Sequence, residues 1–348
     1  MAVVGAGVAG LAAARALARS GRSVLVLEQF ELGHPRGSSH GTSRIFRLAY
    51  EDPDYVAMAK AALALWRELE DESGEELLIT TGALDVGGNL PVLRDALEAN
   101  GVAADILDRE EVGRRFPGLH LPEGEVLFQA DGGIARPDRT HAALRRSILA
   151  HGGEIRDRTP VREIVPGDDG VRIETDAGDL AAGAAVVAAG SWSPRLLAPL
   201  GIELLVTVTR ETVVHFRLGS LNGLPTLIDR TLSPLATDRE LYGLPSPGIG
   251  LKAGVHRAGR PTDPDSEGEP DPDVVEAAGA WARERYDGVD PKPALVETCL
   301  YTTTPDERFV LRRHGRVVVC SACSGHGFKF TPEIGRRTAE LAKAALAH

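Results

Sequence analysis

Gly5, Gly7 and Gly10 form the first pattern with a chemical meaning. They stand in Gly5-Ala6-Gly7-Val8-Ala9-Gly10, between apolar Ala2 to Val4 and an Ala/Leu/Arg run that continues to about Arg19. In a strand–turn–helix context each glycine does something different. Gly5 makes the tight turn, Gly7 lets the backbone approach a pyrophosphate, and Gly10 lets helix and strand pack closely. The start of the helix then turns its positive end toward the phosphates. A second apolar strand, Ser23 to Leu27, ends at Glu28, 18 residues after Gly10, about the spacing at which a carboxylate accepts hydrogen bonds from a ribose hydroxyl. The set reads as a dinucleotide site, and the motif alone does not separate FAD from NAD. Cys320-Ser321-Ala322-Cys323 has the spacing of half a metal site or a redox pair, but no second Cys/His pair accompanies it and Arg316 to Val319 read as a buried strand. Both cysteines are expected to be packing residues, and no metal is expected.

Positioning such a site takes more than one core. A chain of 348 residues suggests two domains, with enough length to enclose a large cofactor and a buried pocket. Hydrophobic content of 43% and charged content of 26% are those of an ordinary globular protein. No run of 18 apolar residues lacks charges, so neither a membrane nor a membrane span is expected, and the chain reads as cytoplasmic. The net charge of −11 argues against nucleic acid as partner. Three cysteines are too few for a disulfide framework and fit a reducing compartment.

The elements interleave. Tyr55, Met58, Ala62, Leu65 and Leu69 recur at helical spacing, predicting an amphipathic helix from near Asp54 to just before Gly74. Strands at Gly82 to Val86 and Glu125 to Gln129 flank a helix near Leu90 to Asn100, as an inserted piece of a second domain would. Residues 140 to 195 read as one helix (Thr140 to His151) and three strands (Glu154 to Arg156, Gly170 to Thr175, Ala184 to Ala188), ending in Gly190-Ser191-Trp192-Ser193. The stretch 206 to 298 reads as strand-rich, with an exposed loop at Pro261 to Pro272. A last helix begins at Thr331-Pro332-Glu333, with threonine as the expected cap.

Four separated motifs then carry a resemblance. His40-Gly41-Thr42-Ser43-Arg44-Ile45-Phe46-Arg47, Gly250-Leu251-Lys252, Cys299-Leu300-Tyr301-Thr302 and Ser324-Gly325-His326-Gly327-Phe328-Lys329 resemble, in order, the monomeric sarcosine oxidase and N-methyltryptophan oxidase family, over essentially the whole chain. The resemblance implies a mixed α/β fold of the p-hydroxybenzoate hydroxylase type: a discontinuous Rossmann-like FAD domain (1–80, 140–205 and 299–348) and a mixed-sheet substrate domain (81–139 and 206–298). It implies an oxidase of secondary amines of amino acids that uses FAD and O2, releases an imine and hydrogen peroxide, and works as a monomer.

Position by position, the resemblance makes Cys299 the cysteine bonded through sulfur to the 8α carbon of FAD, a role for which the thiolate is the competent nucleophile. Arg47 and Lys329 become the clamp on the substrate carboxylate, which would fix the reacting Cα–N unit. Lys252 becomes the cation that activates oxygen. Arg44 is expected close to the flavin, and His256 and Tyr301 are expected to line the substrate cavity. Ser39, His40, Gly41, Gly325 and Gly327 join Gly5, Gly7, Gly10 and Glu28 as cofactor-binding residues. Residues 225 to 250 are expected to form the variable wall, where Leu244 and Pro247 stand in place of the aromatics common in relatives. The substrate stays open among N-methyl amino acids, cyclic imino acids and sugar–amine adducts. The alternatives are a dehydrogenase with another acceptor, a nicotinamide-dependent reductase, or a noncatalytic FAD-binding partner protein.

Overall fold

Two large sheets carry the molecule, and alternation along their strands decides what each side chain faces. The computed structural model describes residues 1–219, 223–231 and 240–346. The first sheet has six strands in the order Val310–His314, Val317–Ser321, Ala185–Val187, Ala2–Val4, Leu25–Leu27 and Glu154–Arg156. All neighbours are parallel except the hairpin of Val310–His314 with Val317–Ser321. Val3, Val26, Val186 and Val318 enter one core, with the helices Val8–Arg19, Pro137–Ala150 and Thr331–Ala344. Val4, Leu27, Val187 and Val319, next to them in sequence, enter another core, beneath an antiparallel meander of Val161–Pro166, Val171–Thr175 and Leu180–Ala182. A parallel sheet covered on both faces needs this two-residue period, with apolar residues at both phases. The unit is discontinuous: its strands come from three separate stretches of chain.

The second sheet has nine strands. Eight run in the order Arg260–Pro261, Thr207–Leu218, Gly250–Val255, Leu241–Ser246, Thr226–Asp229, Ala83–Val86, Val126–Gln129 and Asp105–Leu107, and Val289–Thr303 pairs along Thr207–Leu218. One face packs on the helix Pro272–Arg285 through Leu241, Leu251, Ala253 and Val255. Trp281 and Arg285 of that helix both donate to Asp229, each at 2.8 Å, and so fasten helix to sheet. The opposite phase of the same strands, carrying Tyr242, Leu244, Lys252, Cys299 and Tyr301, faces a cleft between the two sheets. A small sheet of Arg44–Phe46, Gly133–Ala135 and Leu78–Thr80 closes one side.

The expected helix at 54–73 is Pro53–Ser73, capped by Asp52, which accepts from Asp54 N–H at 2.9 Å, and ended by Gly74 at φ 68°. Three features differ from expectation. The stretch 206–298 contains the helix Pro272–Arg285, whose start is the Asp271 cap and Pro272 in the first turn; the Pro/Asp-rich run before it masked that signal. The loop before it is exposed, as expected, and is held by Arg195, which pairs with Asp263 at 2.8 Å, and by Trp192, which donates to Asp265 at 2.6 Å. Thr331 does not cap the last helix; its hydroxyl donates back to the Phe328 carbonyl at 2.6 Å. The boundary expected at residue 299 falls inside the continuous strand Val289–Thr303.

Gly335 lies where Thr331–Ala344 crosses Val8–Arg19, and a Cβ there would come within 2.6 Å of the Ala12 Cβ. Gly335→Ala is therefore expected to force the two helices apart and lower stability by about 1–3 kcal/mol. Urea unfolding of the two proteins reads this directly, and an unchanged midpoint would mean that the crossing is looser than this contact requires.

Candidate active site

A single cleft of about 1280 Å³ runs from the glycine turn to the exposed face of the second sheet. At its first end Gly5 adopts φ 104°, and a Cβ there would lie 2.5 Å from the Ala188 carbonyl oxygen. A Cβ on Gly10 would lie 2.0 Å from the Gly5 carbonyl oxygen, so close packing of helix on turn requires glycine at both positions. Gly7 precedes the helix with no side-chain cap, leaving the helix start open to the cleft. Ser39 stands beside it and accepts from Val8 N–H at 3.2 Å. Glu28 is buried; its carboxylate accepts from Ala6 N–H at 2.8 Å and Phe30 N–H at 3.0 Å. Burial works against its charge, but hydrogen bonds from His34, Phe30 and Ala6 outweigh it and hold its pKa below the usual value. His40 and Gly41 line the same cleft.

At the second end Lys252 is 4% exposed and donates to the Ser43 carbonyl at 3.0 Å. Burial, and then the charge of Arg44, push its pKa down to about 7. Arg44 itself is held by the carbonyls of Ser43 at 2.9 Å and Ser38 at 3.0 Å. The Cys299 thiol is pushed up to about 11 by burial, against the opposing pull of Arg44 and Lys252. His256, lowered to about 4 by burial, is neutral near pH 7, and its ring lies 5.7 Å from that of Tyr301. The loop 322–327 needs its glycines for contact: a Cβ on Gly325, at φ 75°, would lie 2.3 Å from the Tyr301 ring, and one on Gly327 would lie 1.9 Å from the Ala322 carbonyl oxygen. Cys320 and Cys323 both line the cleft; Cys323 accepts from Thr302 N–H at 3.4 Å, and Cys320, on a buried strand, accepts from Thr338.

Arg47 and Lys329, far apart in sequence, meet at Tyr50. The Arg47 guanidinium lies 4.8 Å above the Tyr50 ring, and Lys329 donates to the Tyr50 hydroxyl at 2.9 Å and to the His326 carbonyl at 3.0 Å. Burial and then Arg47 hold the Lys329 pKa well below its ordinary value. Sequence reasoning missed Tyr50, and it also missed an ionic chain behind it. Asp85, with no exposure, is shared by Arg230 at 2.8 Å and Arg47 at 3.4 Å, and Arg230 reaches Glu240 at 2.9 Å. The available signal was a charge inside a strand otherwise apolar, in Ala83-Leu84-Asp85-Val86 and in Leu227-Ile228-Asp229-Arg230. Of the expected variable wall, Ile228, Arg230, Glu240, Tyr242 and Leu244 line the cleft, while 232–239 lie outside the described residues.

The arrangement suits an extended dinucleotide. One end offers a cradle in which backbone fills the glycine Cβ positions, an open helix start and a buried carboxylate. Along the cleft, His40 Nε2, His141 Nε2 and Ser43 Oγ are buried without partners among the described residues, polar atoms that a ligand would satisfy.

Comparison with known proteins agrees. The family described as FAD dependent oxidoreductase matches residues 1–341. A peroxisomal sarcosine oxidase from Homo sapiens is 36% identical over 360 residues, covering 97% of this chain and 90% of its own. A monomeric sarcosine oxidase from an Arthrobacter species (strain TE1826) is 33% identical, covering 98% and 91%. The structure of NikD in its open form, an unusual amino acid oxidase essential for nikkomycin biosynthesis, superposes with a TM-score of 0.88 at 30% identity, covering 98% of this chain and 93% of NikD.

Asp85→Ala would leave buried Arg47 and half-buried Arg230 without the carboxylate they share. A loss of about 3–5 kcal/mol in urea unfolding is expected, the range for breaking a buried pair from one side. A loss below about 1 kcal/mol would show that solvent already screens these charges.

Proposed function

The chain belongs to the FAD dependent oxidoreductase family, among the sarcosine oxidases, and from that membership we propose the residue roles and substrate class that follow. It is an FAD-dependent amine oxidase acting on secondary amines of amino acids. We infer that its substrate is a small amino acid bound through its carboxylate. The observation that carries this reading is the convergence of Arg47 and Lys329 at Tyr50, in the same cleft as Lys252 and Cys299.

Arg47, with a flat fork of donors, and Lys329, a point charge, would clamp the carboxylate and so fix the amine-bearing carbon. Tyr50 sets the two cations, stacking under one and accepting from the other. His256 and Tyr301, kept neutral by burial, would border the amine without a charge that competes with the clamp. The Glu240–Arg230 pair gives the far wall a polar character, which suits a small polar substrate better than an indole. FAD, held by Gly5, Gly7, Gly10, Glu28, Ser39, His40, Gly41, Gly325 and Gly327 and joined to Cys299, would take two electrons and a hydrogen from the substrate and deliver the electrons to O2. Lys252 would place its positive charge beside the oxygen as negative charge develops there, giving hydrogen peroxide. A buried ammonium at that place favours oxygen over another acceptor. A division into two domains, with the last boundary moved past the strand Val289–Thr303, a monomeric state and a cytoplasmic location are part of the same proposal. Among the described residues no helix is long and apolar enough to cross a membrane, and the three cysteines are unpaired.

A peroxide-release screen across N-methyl amino acids, cyclic imino acids and fructosyl amino acids tests the substrate class. One of these acids is expected to give steady peroxide release while the matching amine without a carboxylate does not. Arg47→Ala and Lys329→Ala are expected to raise the barrier by about 2–5 kcal/mol in kcat/KM, as for a desolvated charged contact that loses one partner. Equal turnover of simple N-methyl alkylamines would remove the clamp.

Attachment is tested separately. The acid-denatured protein is expected to stay yellow, with the mass of FAD on the tryptic peptide that contains Cys299. Cys299→Ala is expected to release all flavin on denaturation, whereas Cys320→Ala and Cys323→Ala are not. Free FAD from the denatured native protein would refute the bond.

A further inference from the structure

Lys252 is a cation in surroundings that oppose its charge. It is buried, and its hydrogen bond goes to a carbonyl rather than a carboxylate. The groups that face it come from every element packed around it. Arg44 lies on Arg44–Phe46 and His40 on the loop before it, His215 lies directly opposite on Thr207–Leu218, Leu244 lies opposite on Leu241–Ser246, and Glu297 and Cys299 lie on Val289–Thr303. Burial and Arg44 act against the ammonium, while among the described residues Cys299 and Glu297 act in its favour. Cys299 helps only as a thiolate. Once its sulfur is a thioether it is neutral, and Glu297 is left as the negative charge acting on Lys252.

Glu297 is held in place by two neighbours. His215 Nε2 lies 2.9 Å from its Oε2, and His215 Nδ1 lies 2.8 Å from Ser246 Oγ. His215 and Ser246 are fully buried, while the Glu297 side chain keeps 28% of its exposure. The hydrogen bond from His215 is the largest of the influences that hold the Glu297 carboxyl ionised. The three residues have the composition of a hydrolytic triad, but Ser246 has no exposure and no substrate could reach it. The strand register instead puts His215 directly opposite Lys252 and Glu297 on the next strand out, opposite Val213, which is two residues back from His215 on the same face.

We propose that Glu297, fixed by His215 and Ser246, is the counter-charge that keeps Lys252 protonated, and so is a positioning residue for the oxygen half of the reaction. The proposal rests on the reading of Lys252 given above. Its sign is definite. A nearby carboxylate stabilises the ammonium, so its removal lowers the Lys252 pKa and the cation is lost at a lower pH.

The test uses flavin-loaded Glu297→Gln with two readouts across pH. The first is the reoxidation rate constant after anaerobic reduction. The second, which needs no turnover, is the dissociation constant of the sulfite adduct of the oxidised flavin, an anion that a neighbouring ammonium stabilises. Both alkaline limbs are expected to move down by about one pH unit, which slows reoxidation and weakens sulfite binding by roughly fivefold at neutrality and roughly tenfold at higher pH. Anaerobic reduction by substrate is expected to change less than twofold, on the order of the change a distant neutral substitution makes. His215→Gln, which releases the carboxylate, is expected to shift both limbs in the same direction by less, and it carries the test if Glu297→Gln does not fold. Unmoved limbs in the folded variants overturn the proposal. Lys252→Met separates it from its premise: if that variant reoxidises like the native protein the reading of Lys252 fails, and if it is slow while Glu297→Gln is normal only the counter-charge fails.

Discussion

Asp85 is the charge on which the substrate end of the cleft depends. Arg47 and Lys329 are buried and Arg230 half-buried beside them, and cations so placed do not stay together without negative charge among them. Asp85 lies between two of them with no exposure, and Glu240 answers the second of these from the far side. Lys329 donates to neutral groups, the Tyr50 hydroxyl and the His326 carbonyl. On the function proposed above, the carboxylate of a substrate would supply the negative charge that this end of the cleft can still take. Tyr50 sets the geometry by engaging Arg47 through its ring face and Lys329 through its hydroxyl.

The same cleft shows how two sheets of different character are joined. The six-stranded sheet is apolar on both faces and contributes only its edge, where the turn at Gly5 brings backbone N–H groups and a helix start to the phosphate end. The nine-stranded sheet is covered on one face only, by the helix Pro272–Arg285, so every second residue of Leu241–Ser246, Gly250–Val255 and Val289–Thr303 is free to carry chemistry. Tyr242, Lys252, Cys299 and Tyr301 share that phase. A slip of one residue would bury Lys252 against Trp281 and expose Leu251 to the cleft, so the apolar phase fixes the chemical one.

What was legible in the sequence was local. Gly5, Gly7 and Gly10 could be read because one turn dictates all three, and the helix Pro53–Ser73 because its apolar residues repeat at helical spacing. Arg47, Lys252, Cys299 and Lys329 were found through motifs that resemble a family, and the structure brings them to one cleft. What stayed hidden is non-local. Asp85 stands out locally as a charge in an apolar run, but nothing within a few residues of Asp85, Arg230 or Glu240 says that strands about 140 positions apart will pair, as Ala83–Val86 does with Thr226–Asp229. His215, Ser246 and Glu297 were hidden for the same reason, coming from three strands whose register only the folded sheet defines. The helix Pro272–Arg285 was lost behind the charged loop that precedes it, although Asp271-Pro272 is a sound start signal.

The central claim is that one cleft holds the flavin against Cys299 and the substrate carboxylate between Arg47 and Lys329. A crystal structure of the flavin-loaded enzyme with a carboxylate that cannot be oxidised, such as pyrrole-2-carboxylate, tests it most directly. The account predicts the carboxylate on both cations, with the flavin ring between it and Lys252 and a bond from the Cys299 sulfur. A carboxylate bound away from Arg47 and Lys329, or a flavin ring out of reach of Cys299 and Lys252, would contradict it.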